Sequence, residues 1–246
     1  MNAGPRDPGT EGTRNPGAPG LDFETWESTN ADAVGFVLAG GQSSRMGTDK
    51  ALVQFAGRPL IEHSIDILKH AGLQAQIAGA QDELRALLPP NVPIIPDSET
   101  GRGPLAGICA ALRSTDARYA IFLPVDTPTL PASLIRYLLR HARLAASPVT
   151  VVSVSASPQT FPAVLARETL PLLERKLRNG ELGCLAAFQA AAVQLGRSLS
   201  ALPVELLVQS GQIDHPEAIP AWRWFLNINS RRDLHLASSL RRSRVS

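Results

Sequence analysis

Three side chains stand out as able to do chemistry together: the cations Arg45 and Lys50, and the carboxylate Asp126 in Pro124-Val125-Asp126-Thr127-Pro128. The cations belong to the stretch VGFVLAGGQSSRMGTDKAL, residues 34–52, which opens as an apolar run and then changes abruptly to small, polar and basic residues. That order is expected of a buried strand running into a phosphate-holding loop. Glycines let backbone N–H groups approach an anion, Ser43 and Ser44 add hydroxyl donors, and Arg45 and Lys50 bring the charge a polyphosphate requires. Exposed loop cations are more often simply solvated, so the loop is a candidate nucleotide site rather than a proven one. Asp126 follows a short apolar run, where a carboxylate is well placed to hold Mg2+, a cation that takes a few carboxylate and phosphate oxygens and keeps its waters. From position alone, Asp126 is equally a turn residue before Thr-Pro.

Two better-known phosphate loops fail on spacing. A P-loop needs Gly-Lys-Ser/Thr at its end, whereas Gly47 is followed by Thr48-Asp49-Lys50. A dinucleotide fingerprint needs G-x-G-x-x-G, but Gly40 and Gly41 are adjacent and Gly47 is distant.

The elements that must position these groups can be read in order. Val34–Leu38 is a strand, Leu52–Phe55 a short second one, and a helix begins near Pro59 with Leu60, Ile61, Ser64, Ile65 and Leu68 on one face, stopped by Gly72. Strands at Leu73–Ala78 and Val92–Ile95 flank a helix over Gln81–Leu88, and a further helix runs through Gly101–Arg113. Tyr119–Val125 is the most strand-like run, and Pro131 opens a helix carrying Leu134, Ile135, Leu138 and Leu139. Strands are expected at Val149–Val154 and at Phe161–Leu165, the second pairing with the first, and again at Val204–Val208. Helices are expected at Glu168–Arg178 and Cys184–Ala191. A last amphipathic helix follows Asn229, with Ser230 as its cap and Leu234, Ala237 and Leu240 on its buried face. Strands alternating with helices imply an α/β fold with a mostly parallel central sheet covered on both faces. Ligands in such sheets bind beyond the carboxyl ends of the strands, which would bring Gly40–Lys50, Asp97 and Asp126 to one edge.

Composition narrows the field. A net charge of +2 over 246 residues gives no general pull toward nucleic acid. Cys109 and Cys184 are too few and too far apart for a disulfide scaffold or a cysteine zinc site, and read as core thiols in a reducing cytoplasm. His63, His70, His141, His215 and His235 show no ligand spacing, and most are expected on polar helix faces. No run approaches the roughly 18 to 20 apolar residues needed to cross a bilayer, and the N-terminus lacks the apolar core of a signal peptide. Nine of the first twenty residues are Gly or Pro, so residues 1–31 are expected to be a disordered extension, with the C-terminal RRSRVS fraying as well. The remainder, 32–242, is expected to be one domain: a nucleotide-binding half over 34–147, then an acceptor-binding half and C-terminal helix over 148–242.

From Leu38 to Lys50 the chain resembles, nearly residue for residue, the L-A-G-G-x-S-x-R-M-G-x-D-K signature of a nucleotidyltransferase superfamily, and within it the molybdenum cofactor guanylyltransferases. PVDTPTLP resembles that family's metal-binding D-T-P segment, PDSETGRGPLAG its nucleotide-contacting segment, and Asn227-Ile228-Asn229 its N-V-N segment. The resemblance implies a Rossmann-like three-layer fold and Mg2+-dependent transfer of GMP from GTP to molybdenum-molybdopterin, giving the guanine dinucleotide cofactor and pyrophosphate. It implies catalytic roles for Arg45, Lys50 and Asp126, and nucleotide contacts at Leu38, Ala39, Gly40, Gly41, Lys50, Gly79, Asp97, Gly103 and Asp126. Asp126 and Asn229 become the metal ligands, with Asn227 a weaker candidate. Proteins that deliver or receive the cofactor become transient partners. The resemblance is tight over residues 34–131 and loose beyond. The strand after the first helix ends in Ile77-Ala78-Gly79-Ala80-Gln81 where the guanylyltransferases usually carry an Asn-rich base-contacting segment. Alternatives are therefore a cytidylyl or sugar-phosphate nucleotidyltransferase, although paired Gly40-Gly41 leans toward the guanine enzymes, and a nucleotide-binding protein without turnover.

Overall fold

The computed structural model describes residues 31–39, 49–79, 85, 88, 91–96 and 102–242. Its organising feature is a sheet whose central strands are apolar on both faces. β1 (Ala33–Leu38) shows why: Ala33 and Val37 face one layer of helices while Val34, Phe36 and Leu38 face the other. β6 (Tyr119–Pro124) divides in the same way, with Tyr119, Ile121 and Leu123 on one side and Ala120 and Phe122 on the other. Period-two alternation between two dry faces is the mark of a central strand in a covered sheet.

The remaining strands are β2 (Gln54–Phe55), β3 (Arg58–Pro59), β4 (Ala75–Ala78), β5 (Ile94–Ile95), β7 (Val149–Val154), β8 (Ser157–Pro158), β9 (Ala163–Ala166) and β10 (Ser200–Pro203). The main sheet runs β10-β7-β9-β6-β1-β4-β5, with β8 beside β7 and β2-β3 forming a separate small ribbon. β1 pairs in parallel with β4 and β6, β4 with β5, and β7 with β10, while β9 lies antiparallel between β6 and β7. The expected mostly parallel α/β sheet is what the chain forms, and the strand expected at 161–165 pairs with β7 as anticipated. It pairs with β6 as well, closing the gap between the two halves of the sheet. Ser155 and Ala156, with φ of 49° and 62°, make the tight turn that starts this return, joining Val154 to Ser157 across the β7–β8 pairing.

One helical layer contains α1 (Leu60–His70), α3 (Ala132–Leu144), α6 (Val204–Gln209) and α7 (Arg231–Arg242). The other contains α2 (Pro104–Arg113), α4 (Leu170–Arg178) and α5 (Cys184–Gln194). Gly35 lets α1 lie close on the sheet, since a Cβ there would come within 2.7 Å of Leu68 Cδ2. Across the other face, Phe36 and Phe122 stack with ring centroids 5.4 Å apart. Asp32 fixes the entry to β1 by accepting from the Tyr119 amide at 3.0 Å and pairing its carboxylate with Arg143.

One expectation needs correction, and one residue is an exception to another. Val204–Val208 is a helix, α6, and the strand is the preceding Ser200–Pro203. Val204 and Leu207 are buried while Leu206 is 58% exposed, a period of three that a strand cannot produce. His63 lies in the interior rather than on a polar face, its ring nitrogen 2.8 Å from the Phe55 carbonyl oxygen. Both cysteines are buried free thiols, as expected. Of the helix expected over Gln81–Leu88, only Arg85 and Leu88 are described, Arg85 being helical. The expected N-terminal extension, apart from Ala31, the C-terminal residues 243–246 and the side chain of Leu240 lie outside the described residues.

Candidate active site

β1, β4 and β6 end side by side, with Leu38 in register with both Ala78 and Pro124. The segments leaving that edge carry the candidate residues. Beyond β6, Asp126 follows Val125. Ile228 is held against this point by its own amide, which donates to the Asp126 carbonyl oxygen at 2.9 Å, and so Asn229 is delivered next to Asp126.

Lys50 completes the cluster. Its Nζ lies 2.6 Å from Asp126 Oδ2 and also donates to Asn229 Oδ1, linking segments separated by 76 and 179 residues. The side chains of Lys50 and Asp126 are only 15% and 19% exposed, so their attraction is less screened than that of a surface pair. Lys50 is aimed by the short 3-10 turn Lys50–Leu52, whose cap is Asp49: its Oδ1 accepts from the Ala51 amide at 2.9 Å.

Asn229 is positioned from the other side by the start of α7. Asp233 Oδ2 accepts from the Asn229 amide at 3.0 Å and from Ser230 Oγ at 2.8 Å, while the Asp233 amide donates back to Ser230 Oγ at 3.2 Å. This is a reciprocal capping arrangement. The Ser230 hydroxyl, followed by the Asn229 amide, holds the Asp233 carboxyl below the usual carboxylate range. Asp49 and Asp233 are the two positioning residues that reasoning from sequence passed over. The Ser-x-x-Asp spacing at 230–233 was the available signal.

The other predicted residues divide into three groups. Leu38, Ala39 and Gly79 reach the same edge, but their backbone donors are partly committed: the Ala39 amide donates to Ala78 O at 3.0 Å and the Gly79 amide to Ile95 O at 3.1 Å. Gly103 leads directly into α2 with φ 70° and ψ −174°, a conformation essentially restricted to glycine. Its neighbour Arg102 donates to the Leu177 carbonyl in the last turn of α4 at 2.9 Å. Asn227 does not join the cluster; it is exposed and makes no side-chain hydrogen bond to a described residue. Gly40, Gly41, Arg45 and Asp97 lie outside the described residues.

A cation between a carboxylate and an amide oxygen, at the carboxyl edge of a parallel sheet and directly after a Gly-rich segment, suits the handling of a polyphosphate. The two oxygens are hard donors of the kind Mg2+ and Mn2+ accept, and the ammonium already occupies a position that favours positive charge. Among the described residues no cluster of three or more His, Cys, Asp or Glu side chains could hold a metal by itself. A cation here would need further oxygens from water or phosphate.

With that geometry in place, similarity to known proteins becomes informative. Residues 35–194 match the family described as the MobA-like NTP transferase domain. The chain is similar to a probable molybdenum cofactor guanylyltransferase from Haloferax mediterranei, with 31% identity over 221 residues covering 87% of this chain and 98% of the relative. Among solved structures it is similar to molybdopterin-guanine dinucleotide biosynthesis protein A from Archaeoglobus fulgidus, with a TM-score of 0.67 and 23% identity over 84% of this chain and 97% of that one. A structure of Rv0371C in complex with manganese, from Mycobacterium tuberculosis H37Rv, matches with a TM-score of 0.55 and 16% identity over 85% and 98% of the two chains. The structural likenesses speak to the three-layer fold. The protein is a nucleotidyltransferase, and it belongs to the family of MobA-like NTP transferase domains.

Proposed function

We propose that the protein transfers GMP from GTP to the terminal phosphate of molybdenum-molybdopterin, releasing pyrophosphate. The observation that carries this reading is the seating of Lys50 between Asp126 and Asn229. It is supported by the names of the relatives described above and by the loop signature from Leu38 to Lys50. We read residues 32–242 as one domain, with 34–147 receiving the nucleotide and 148–242 the acceptor.

In the reaction, an oxygen of the acceptor phosphate attacks the α-phosphorus of GTP, an α-phosphate anhydride bond forms, and the bond to the bridging oxygen of the β-phosphate breaks. Negative charge grows on the departing pyrophosphate. Lys50, joined by Arg45, offsets that charge more strongly in the transition state than in the ground state, which is what raises the rate. Lys50 is freed for this role when phosphate oxygens replace its carboxylate partner. Asp126 and Asn229 would hold Mg2+, which would supply positive charge for the phosphates; the manganese of the Mycobacterium tuberculosis structure is in keeping with a divalent ion. No covalent enzyme intermediate is needed, because positioning of two phosphates supplies most of the acceleration. Gly103 and Asp97 contact the nucleoside, and Gly40, Gly41, Leu38, Ala39 and Gly79 line its approach through backbone groups.

Among the described residues no helix is long and apolar enough to cross a membrane. We place the reaction in the cytoplasm, with cofactor-delivering and molybdoenzyme-chaperone proteins as transient partners. The test is direct: purified protein, Mg2+ and molybdenum-molybdopterin are incubated with GTP, CTP or ATP, and pyrophosphate and the mass of the product are measured. The guanine dinucleotide should form with GTP at least about tenfold faster than its analogues with the other nucleotides. Equal rates with CTP would overturn the choice of base, and no pyrophosphate with any nucleotide would overturn turnover itself.

A further inference from the structure

The segment that delivers Asn229 also carries a feature that the nucleotide chemistry does not use. Residues Ala221–Arg223 form a 3-10 turn, within which Trp222 is 68% exposed although Trp224, two residues on, is 1% exposed. The two indoles have opposite tasks. Trp224 anchors the segment, its Nε1–H donating to the Ile219 carbonyl oxygen at 2.6 Å and its ring lying 6.0 Å from that of His215. Trp222 stands out from the surface with the Arg223 guanidinium 4.4 Å from its ring centroid. Among the described residues Arg223 has no carboxylate partner, so its charge remains available to an anion.

This pair is tied to the reaction edge. Thr129, three residues beyond Asp126, donates through Oγ1 toward the carbonyl oxygens of Arg223 at 3.2 Å and Trp224 at 3.3 Å. Three peptide steps span at most about 11 Å, and the threonine side chain with its hydrogen bond adds roughly 6 Å, which places the Arg223 carbonyl within about 17 Å of the Asp126 Cα. The backbone that carries the indole is thus tied to the loop of Asp126, and fixing that backbone lowers the ordering cost of binding. An exposed indole offers a stacking face to a flat heteroaromatic ring, and the cation beside it favours a ligand that carries negative charge elsewhere, as on a phosphate.

We propose that Trp222 and Arg223 form the seat of the acceptor's planar heterocycle, the pterin end, while its phosphate reaches the Lys50–Asp126–Asn229 cluster. The inference rests on the acceptor reading above. The heterocycle stacks on Trp222, and Arg223 holds the indole in place and supplies the positive potential.

The experiment compares wild-type protein with Trp222→Ala, Trp222→Phe and Arg223→Gln. It measures KM for molybdenum-molybdopterin, KM for GTP and the dissociation constant for GTP alone. Loss of a stacking surface should raise the acceptor KM about tenfold or more in Trp222→Ala. Trp222→Phe should recover most of that loss, Arg223→Gln should show a smaller rise, and both GTP constants should stay within about twofold of wild type. An acceptor KM unchanged in Trp222→Ala overturns the seat while leaving the guanylyl-transfer reading standing. Wild-type protein that fails to transfer GMP to molybdenum-molybdopterin overturns that reading and the seat with it. Should Trp222→Ala lose GTP binding as well, Arg223→Gln decides: a raised acceptor KM with intact GTP binding supports the seat, and an unchanged one overturns it.

Discussion

Replacing Lys50 with Met keeps the length and apolar stem of the side chain but removes the ammonium that joins Asp126 to Asn229. Two consequences can be sized. The first is stability: the pair is neither on the surface nor fully buried, at 15% and 19% side-chain exposure. Breaking it should therefore cost about 2 kcal/mol, between the ~0–1 kcal/mol of exposed pairs and the ~3–5 kcal/mol of buried ones. For a chain of this size that corresponds to a Tm lower by about 4–8 °C. The second is rate: loss of a positioned cation at developing phosphate charge should reduce kcat/KM by about 100- to 1,000-fold. The two effects separate in a cycle with Asp126→Asn. Because both substitutions remove the same ion pair, the Tm of the double variant should fall by less than the sum of the single falls. Calorimetry and a coupled pyrophosphate assay make both measurements. A Lys50→Met protein within about threefold of wild-type kcat/KM would refute the assignment, whatever its Tm.

Other substitutions report on the support of the cluster. Gly103→Ala should weaken GTP binding: a Cβ there meets no atom within 4 Å, so the effect arises from forcing φ 70°, at a cost of roughly 1–3 kcal/mol, and isothermal titration would show it. Asp233→Ala should speed hydrogen exchange of the Asn229 amide and lower activity at neutral pH. In wild-type protein, Asp233's depressed pKa means that its contribution is fully present above the ordinary carboxylate pKa and is lost only as pH falls through the lowered value, so the amide should stay protected at pH 5 and above. Burial pushes the Cys109 thiol up to about 12 and the Cys184 thiol up to about 11, leaving both protonated at pH 8. Neither should react with iodoacetamide at that pH in the native state, while both should react after denaturation, as read by mass spectrometry.

Much of this was legible in the sequence because it depended on local patterns. The apolar runs at β1 and β6 specify covered strands, and Pro131 and Gly72 punctuate α3 and α1, while the phosphate loop expected over residues 40–48 lies outside the described residues. The carboxyl-edge rule then brings Lys50 and Asp126 together without any contact being known. What could not be read was decided by tertiary pairing. β9 enters between β6 and β7 because the turn at Ser155-Ala156 sends the chain back, although neither residue is a glycine. The Val204–Val208 run has the composition of a strand, but burial of Val204 and Leu207 against the α3 side of the sheet selects a helix. The contact between Lys50 and Asn229 spans 179 residues, and the Ile228 amide that sets it up carries no signal in its own side chain. The resemblance ranks Asn229 above Asn227, and the backbone bond from Ile228 to Asp126, together with the cap formed by Ser230 and Asp233, turns Asn229 toward Lys50.

A crystal structure with GTP and Mg2+ bound tests the site most directly. It should show the ion about 2.1 Å from an Asp126 carboxylate oxygen and from Asn229 Oδ1, with Lys50 Nζ withdrawn from Asp126 onto a phosphate oxygen. GTP bound elsewhere on the molecule, with the Lys50–Asp126 pair intact and no ion beside it, would contradict the assignment.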